Sequence, residues 1–184
     1  FVLGIANMCK QHNVTNALAA LGAGWLLGMQ LEEMTEGLAK AQLSAMRLSI
    51  NPGIEATTII NDAYNANPDS MKSALQVLQD LSRGRSIAVL GEMYELGDYA
   101  REGHNIVGAE AVRREVSLLV TVGQLAEYIA QGALKAGLKP ECSVHFADNQ
   151  AAAEYLLKEL RPGDTVLVKG SRGMRMEQIV DALT

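Results

Sequence analysis

The chain has 184 residues, 48% of them apolar, which is enough for one sizeable core or for one domain with a piece of a second. Aromatics make up only 4%, while Ala, Leu, Val, Ile and Gly are common, a balance that suits alternating strands and helices better than a β-sandwich. A net charge of −5 argues against a nucleic-acid partner, and no apolar run is long enough to span a bilayer.

Two helical runs come first. "HNVTNALAALGAGWLL" (12–27) is a small-residue helix that stops at Gly28, and "LEEMTEGLAKA" is a second, shorter one. "SINPGIEA" follows, with Asn51, Pro52 and Gly53 as breakers, so a linker or domain boundary is expected near residues 44–55. The chain opens on Phe1 in mid-pattern, without an initiator Met, and the expectation is a piece of a longer protein. Cys9 and Cys142 are far apart and share no metal-ligand spacing, which fits two reduced thiols.

Beyond residue 55 the rhythm is regular. Strand-like runs are 57–60, 86–90, 117–122, 143–146 and 164–169, and helix-like runs are 68–82, about 101–115, 124–136, 149–160 and 174–183. Strand followed by helix, five times, predicts an α/β fold: a Rossmann-like, mostly parallel sheet with helices on both faces. In such sheets ligands sit beyond the carboxyl ends of the strands. The turns at 61–67, 91–100 and 169–173 all follow strands, so they should gather on one edge.

Three turns carry polar chemistry. In "NDAYNANPDS", Asn67 suits a helix cap, Pro68 the first helical position and Asp69 the positive end of the helix dipole. Asp62, Tyr64 and Asn65 have no such explanation. Asp62 either closes the turn or accepts hydrogen bonds from a diol such as a ribose. "GEMYELGDYAREGH" (91–104) is an acidic, glycine-punctuated loop that reads as solvated, with His104 more often structural than catalytic. In "VLVKGSRGMRMEQIV" (166–180) an apolar strand delivers Lys169, Gly170, Ser171, Arg172 and Gly173 to a helix start, a pattern for an anion site. No G-x-x-x-x-G-K-[ST] occurs, so a triphosphate has no phosphate loop in this chain, and there is no metal-ligand cluster.

"HNVTNALAA" (12–20), "DAYNANPDSM" (62–71), "AVLGEMYELG" (88–97) with His104, and "VLVKGSRGMRMEQIV" resemble the Mur ligase family over nearly the whole chain. "YNANPDSM" and "KGSRGMRME" look most like the member that joins D-Ala-D-Ala to UDP-N-acetylmuramoyl-tripeptide. The resemblance implies a cytoplasmic bacterial, ATP- and Mg²⁺-dependent ligase working through an acyl phosphate in peptidoglycan precursor synthesis. Residues 1–48 would be the tail of the central ATP-binding domain and 50–184 the C-terminal domain, working with N-terminal and central domains of the same protein. His12, Asn13, Asn16, Arg47, Asp62 and Tyr64 would meet ATP. Asn65, Asn67, Lys169, Ser171 and Arg172 would meet D-Ala-D-Ala, with Lys169 and Arg172 as candidate catalytic cations. The metal ligands would lie upstream, and the isolated chain would be inactive. The sequence departs from the family at Lys10, where Gly usually stands two residues before the His-Asn pair. A sister ligase with another acceptor, or a non-catalytic nucleotide-binding module, is the alternative.

Overall fold

The computed structural model describes residues 11–40 and 46–184, which fall into two units, Phe1–Leu43 and Ser44–Thr184. In the first unit, α1 (Gln11–Leu26) and α2 (Leu31–Lys40) are joined through Gly28, whose φ of +82° is the left-handed conformation that ends a helix without penalty only for glycine. A Cβ on Gly24 would sit 2.7 Å from the Met34 sulfur, the far end of a flexible side chain that can swing away. Trp25, Leu26 and Leu27 stay exposed. Lys10 and Ala41 lie outside the described residues, as do the side chains of His12 and Asn13.

The second unit is a six-stranded sheet in the order β1-β2-β6-β3-β4-β5. The strands are β1 (Ser49–Pro52), β2 (Thr58–Asp62), β3 (Ser86–Gly91), β4 (Leu118–Val122), β5 (Ser143–Phe146) and β6 (Thr165–Lys169). All neighbours pair in parallel except β1, which runs antiparallel to β2. The expected α/β architecture is therefore present, with one correction. β1 occupies part of the expected linker. Four residues are too few to show a period, and Pro52 reads as a breaker. At a sheet edge, however, its missing N–H costs nothing.

The helices are α3 (Pro68–Leu81), α4 (Ala100–Arg113), α5 (Glu127–Lys135), α6 (Asn149–Glu159) and α7 (Glu177–Leu183). Strand alternation feeds two cores. Ile60, Ala88, Leu90 and Leu167 join Leu75, Leu78, Val107 and Ile129 on the α3–α4–α5 face. Ile59, Ile87, Val89, Val166 and Val168 join Leu156, Ile179, Val180 and Leu183 on the α6–α7 face. The exits of β2 and β3 thus turn to one face and the exit of β6, which lies between them, to the other. Such a divergence opens a crevice above the carboxyl ends of the strands.

At the opposite edge of the sheet Arg85 holds it shut. Its guanidinium donates to both Asp164 oxygens, at 3.0 and 2.7 Å, and to Glu159 Oε1 at 2.8 Å. These bonds favour the charged guanidinium and raise its pKa.

Candidate functional site

The register of β2 against β6 sets Asp62 beside Lys169, each the last residue of its strand. Both are buried, Lys169 to 2% exposure. The Lys169 ammonium lies 2.7 Å from Asp62 Oδ2 and donates to the Asn65 carbonyl at 2.7 Å. Asp62 Oδ1 accepts the Leu48 N–H at 3.0 Å. Burial pushes the Lys169 pKa down. Asp62 pulls the other way, and the nearby Arg47 charge adds to the lowering. A carboxylate offers about four acceptor sites. Two are taken here, so Asp62 keeps capacity for a hydroxyl pair.

The β2–α3 turn is built locally. Asn61 Oδ1 accepts the Ala63 N–H, and Asn65 Oδ1 accepts the Ala66 N–H. Asn67 caps α3, its side chain accepting from Ser70 N at 2.8 Å while the Ser70 hydroxyl accepts from Asn67 N, with Pro68 in the first turn. Tyr64, Asn65 and Asn67 are exposed. The preceding segment is clipped onto this turn. Tyr64 N donates to Met46 O at 3.1 Å, and the Arg47 guanidinium lies 4.2 Å from the centre of the Tyr64 ring. Met46 and Leu48 both have positive φ, at 65° and 53°, which is costly for side chains of this size.

The β6–α7 segment differs from the expected helix start. Residues 172–174 make a single 3₁₀ turn, Arg175 is left-handed at φ 50°, and α7 begins only at Glu177. Lys169 and Ser171 therefore do not adjoin a helix N-terminus. Gly170 and Gly91 let β6 and β3 run close over Met176: a Cβ on Gly170 would lie 2.7 Å from Met176 Cγ and 3.2 Å from Gly91 Cα. Ser171 is buried and occupied by the β3 loop. Its N–H donates to Glu92 O at 2.9 Å, and its hydroxyl accepts the Tyr94 N–H at 2.8 Å. Arg172 is half exposed and donates to Glu177 Oε1 at 2.9 Å.

The structure thus gathers Arg47, Asp62, Tyr64, Asn65 and Lys169 at one edge, with Ser171 and Arg172 on the adjoining loop. Asn16 is an exposed residue of the first unit. Glu92 departs from the solvated reading: it is buried, and its Oε1 accepts the Leu125 N–H at 2.9 Å. The signal for it was available, because Glu92 directly follows an apolar strand as Lys169 does. His104 is structural. Its Nε2 accepts the Met93 N–H at 3.0 Å and its Nδ1 donates to Ala100 O, and burial lowers its pKa, which favours the neutral ring.

No group of three or more His, Cys, Asp or Glu side chains is placed to hold a metal ion among the described residues, and no helix among them is long and apolar enough to cross a membrane.

A mostly parallel sheet with helices on both faces and polar side chains gathered at its carboxyl edge defines an α/β domain of the Rossmann kind. The model of the family described as "Mur ligase, glutamate ligase domain" matches residues 46–172, and the chain belongs to the Mur ligase family. It is 38% identical over 174 residues to the UDP-N-acetylmuramoyl-tripeptide–D-alanyl-D-alanine ligase of Bacillus subtilis (strain 168), covering 94% of this chain and 38% of that protein. It is 40% identical over 195 residues to the ligase of the same name from Mycobacterium bovis, covering 96% and 38%. The crystal structure of MurF from Acinetobacter baumannii superposes with a TM-score of 0.82 at 32% identity, over 94% of this chain and 37% of that one. The chain therefore spans well under half the length of these relatives.

Proposed function

We propose that this chain is the acceptor-side part of an ATP-dependent ligase that adds D-Ala-D-Ala to UDP-N-acetylmuramoyl-tripeptide in the cytoplasm. The observation that carries this reading is the likeness, over nearly the whole chain, to ligases named for that reaction. In this reading residues 1–48 complete a central ATP-binding domain and residues 50–184 form the C-terminal domain.

The chemistry explains why two domains must meet. A carboxylate is a poor acyl donor because its leaving group would be oxide. Transfer of the ATP γ-phosphoryl group to the tripeptide carboxylate gives an acyl phosphate. The D-Ala-D-Ala amine attacks that carbonyl and expels phosphate. Water must be kept out until it does, which a closing domain achieves.

The residues fall into roles. Asp62 accepts the ribose hydroxyls with its free lone pairs. Tyr64, with Arg47 on its ring, forms the wall beside the nucleotide. Asn65 and Asn67 line the acceptor side. Arg172 is the exposed cation able to meet the dipeptide carboxylate once it leaves Glu177. Mg²⁺ would supply charge neutralisation at the ATP phosphates, and no group of three or more His, Cys, Asp or Glu side chains among the described residues is placed to hold it.

The test is phosphate release by the full-length enzyme with ATP, Mg²⁺ and UDP-N-acetylmuramoyl-tripeptide, comparing D-Ala-D-Ala with L-Ala, D-Glu and a diamino acid. Turnover with D-Ala-D-Ala alone is expected. Turnover with a different acceptor would assign the chain to a sister ligase.

A further inference from the structure

The sequence pattern makes Lys169 look like a cation for an anionic ligand. The geometry points elsewhere. We propose that Lys169 is a positioning residue for the nucleotide site, acting through Asp62 and Asn65 rather than by touching the acceptor dipeptide. The inference rests on the reading of Asp62 as the ribose acid.

Three observations carry it. The ammonium is already held by two oxygens at 2.7 Å, one from the Asp62 carboxylate and one from the Asn65 carbonyl. The side chain is 2% exposed, so almost none of it is open to a ligand. And the two oxygens come from different places: the end of β2, and the turn three residues later. One ammonium therefore fixes the distance between the acid and the turn that carries Tyr64 and Asn65. An ammonium has three donors; with two spent, the third is too deeply placed to anchor an exposed carboxylate.

The arrangement also defines which Asp62 lone pairs stay free. Lys169 takes Oδ2 and Leu48 N takes Oδ1, so the carboxylate plane is pinned from both sides. A diol must approach along the remaining directions. Removing Lys169 frees the plane to rotate and leaves the turn untethered, so the loss falls on the nucleotide and not on the dipeptide.

The test is steady-state kinetics of the full-length enzyme carrying Lys169→Met, with KM measured separately for ATP and for D-Ala-D-Ala and with the folded fraction checked by thermal unfolding. Expected is a rise of about ten-fold or more in the ATP KM, with the D-Ala-D-Ala KM within about two-fold of wild type. A D-Ala-D-Ala KM that rises as much as the ATP KM, or no change in either, overturns the proposal. Should Lys169→Met not fold, Lys169→Gln keeps neutral N–H donors for the Asn65 carbonyl and the Asp62 carboxylate, and the same two outcomes apply. Asp62→Asn in the same assay separates the two levels: an unchanged ATP KM there sinks the ribose reading itself. A raised ATP KM in Asp62→Asn, together with a rise confined to D-Ala-D-Ala in Lys169→Met, sinks only the positioning role.

Discussion

Asp62→Ala tests the buried pair at the centre of the site through stability alone. The substitution leaves the Lys169 ammonium with one neutral acceptor, the Asn65 carbonyl, at a position 2% exposed. Breaking a buried ion pair by removing one partner costs roughly 3–5 kcal/mol, because the other charge stays desolvated. Native stability is itself only about 5–15 kcal/mol. At an m-value of roughly 2–3 kcal/mol/M, the urea midpoint at neutral pH should fall by more than about 1 M. The pH dependence has a definite sign. The folded-state pKa of Lys169 is already lowered. Between that value and the unfolded lysine value of about 10.4, the unfolded chain binds more protons, so stability rises with pH. Without Asp62 the window widens downward, and the deficit of the variant shrinks as pH approaches about 10. The double variant Asp62→Ala/Lys169→Met removes both charges and should recover most of the loss. A deficit below about 1 kcal/mol, or no recovery in the double variant, would refute the buried-pair reasoning.

Other expectations concern the scaffold. Glu115 ends α4 in the left-handed conformation at φ 55°, with Glu115 N donating to Val112 O and Val116 N to Ala111 O. Glycine is preferred there, so Glu115→Gly should stabilise the chain by about 1 kcal/mol in chemical unfolding. Gly132 packs α5 against α4 so closely that a Cβ would collide with the Asn105 carbonyl, and Gly108 meets the Ile129 carbonyl in the same way. Gly132→Ala should cost about 3 kcal/mol or more, since backbone on both sides must move, and a smaller thermal shift than that implies would show the helices to be further apart. His104 is favoured neutral in the fold, its pKa lowered by burial. Stability should therefore be intact above the unfolded histidine value of about 6.5 and decline as pH drops below it toward the lowered folded value. His104→Gln, whose amide oxygen can still accept the Met93 N–H, should remove that part of the slope.

The sheet was legible because its strands repeat: five apolar runs, each followed by a helical period, fix an α/β sheet with two covered faces. β1 was not, since Ser49–Pro52 has no period and pairs only because β2 offers a free edge. Asp62 and Lys169 each stand out in the sequence as a charge ending an apolar strand, but their partnership does not. It depends on β2 and β6 being neighbours although more than a hundred residues separate them. A crossover order of that kind leaves no local signal. The same holds for Leu48, whose N–H meets Asp62 only because two residues with large side chains take positive φ. α7 starts later than the sequence pattern suggests because the helical period of 174–183 continues through the left-handed Arg175 without a break in composition.

The most direct measurement is a structure of the full-length enzyme with a non-hydrolysable ATP analogue and D-Ala-D-Ala. The ribose hydroxyls should lie on Asp62, with the Lys169 ammonium still on Asp62 and Asn65, and the dipeptide carboxylate should lie near Arg172. A ribose bound away from Asp62, or a dipeptide seated away from both the 64–67 turn and the 170–173 loop, would contradict the assignment.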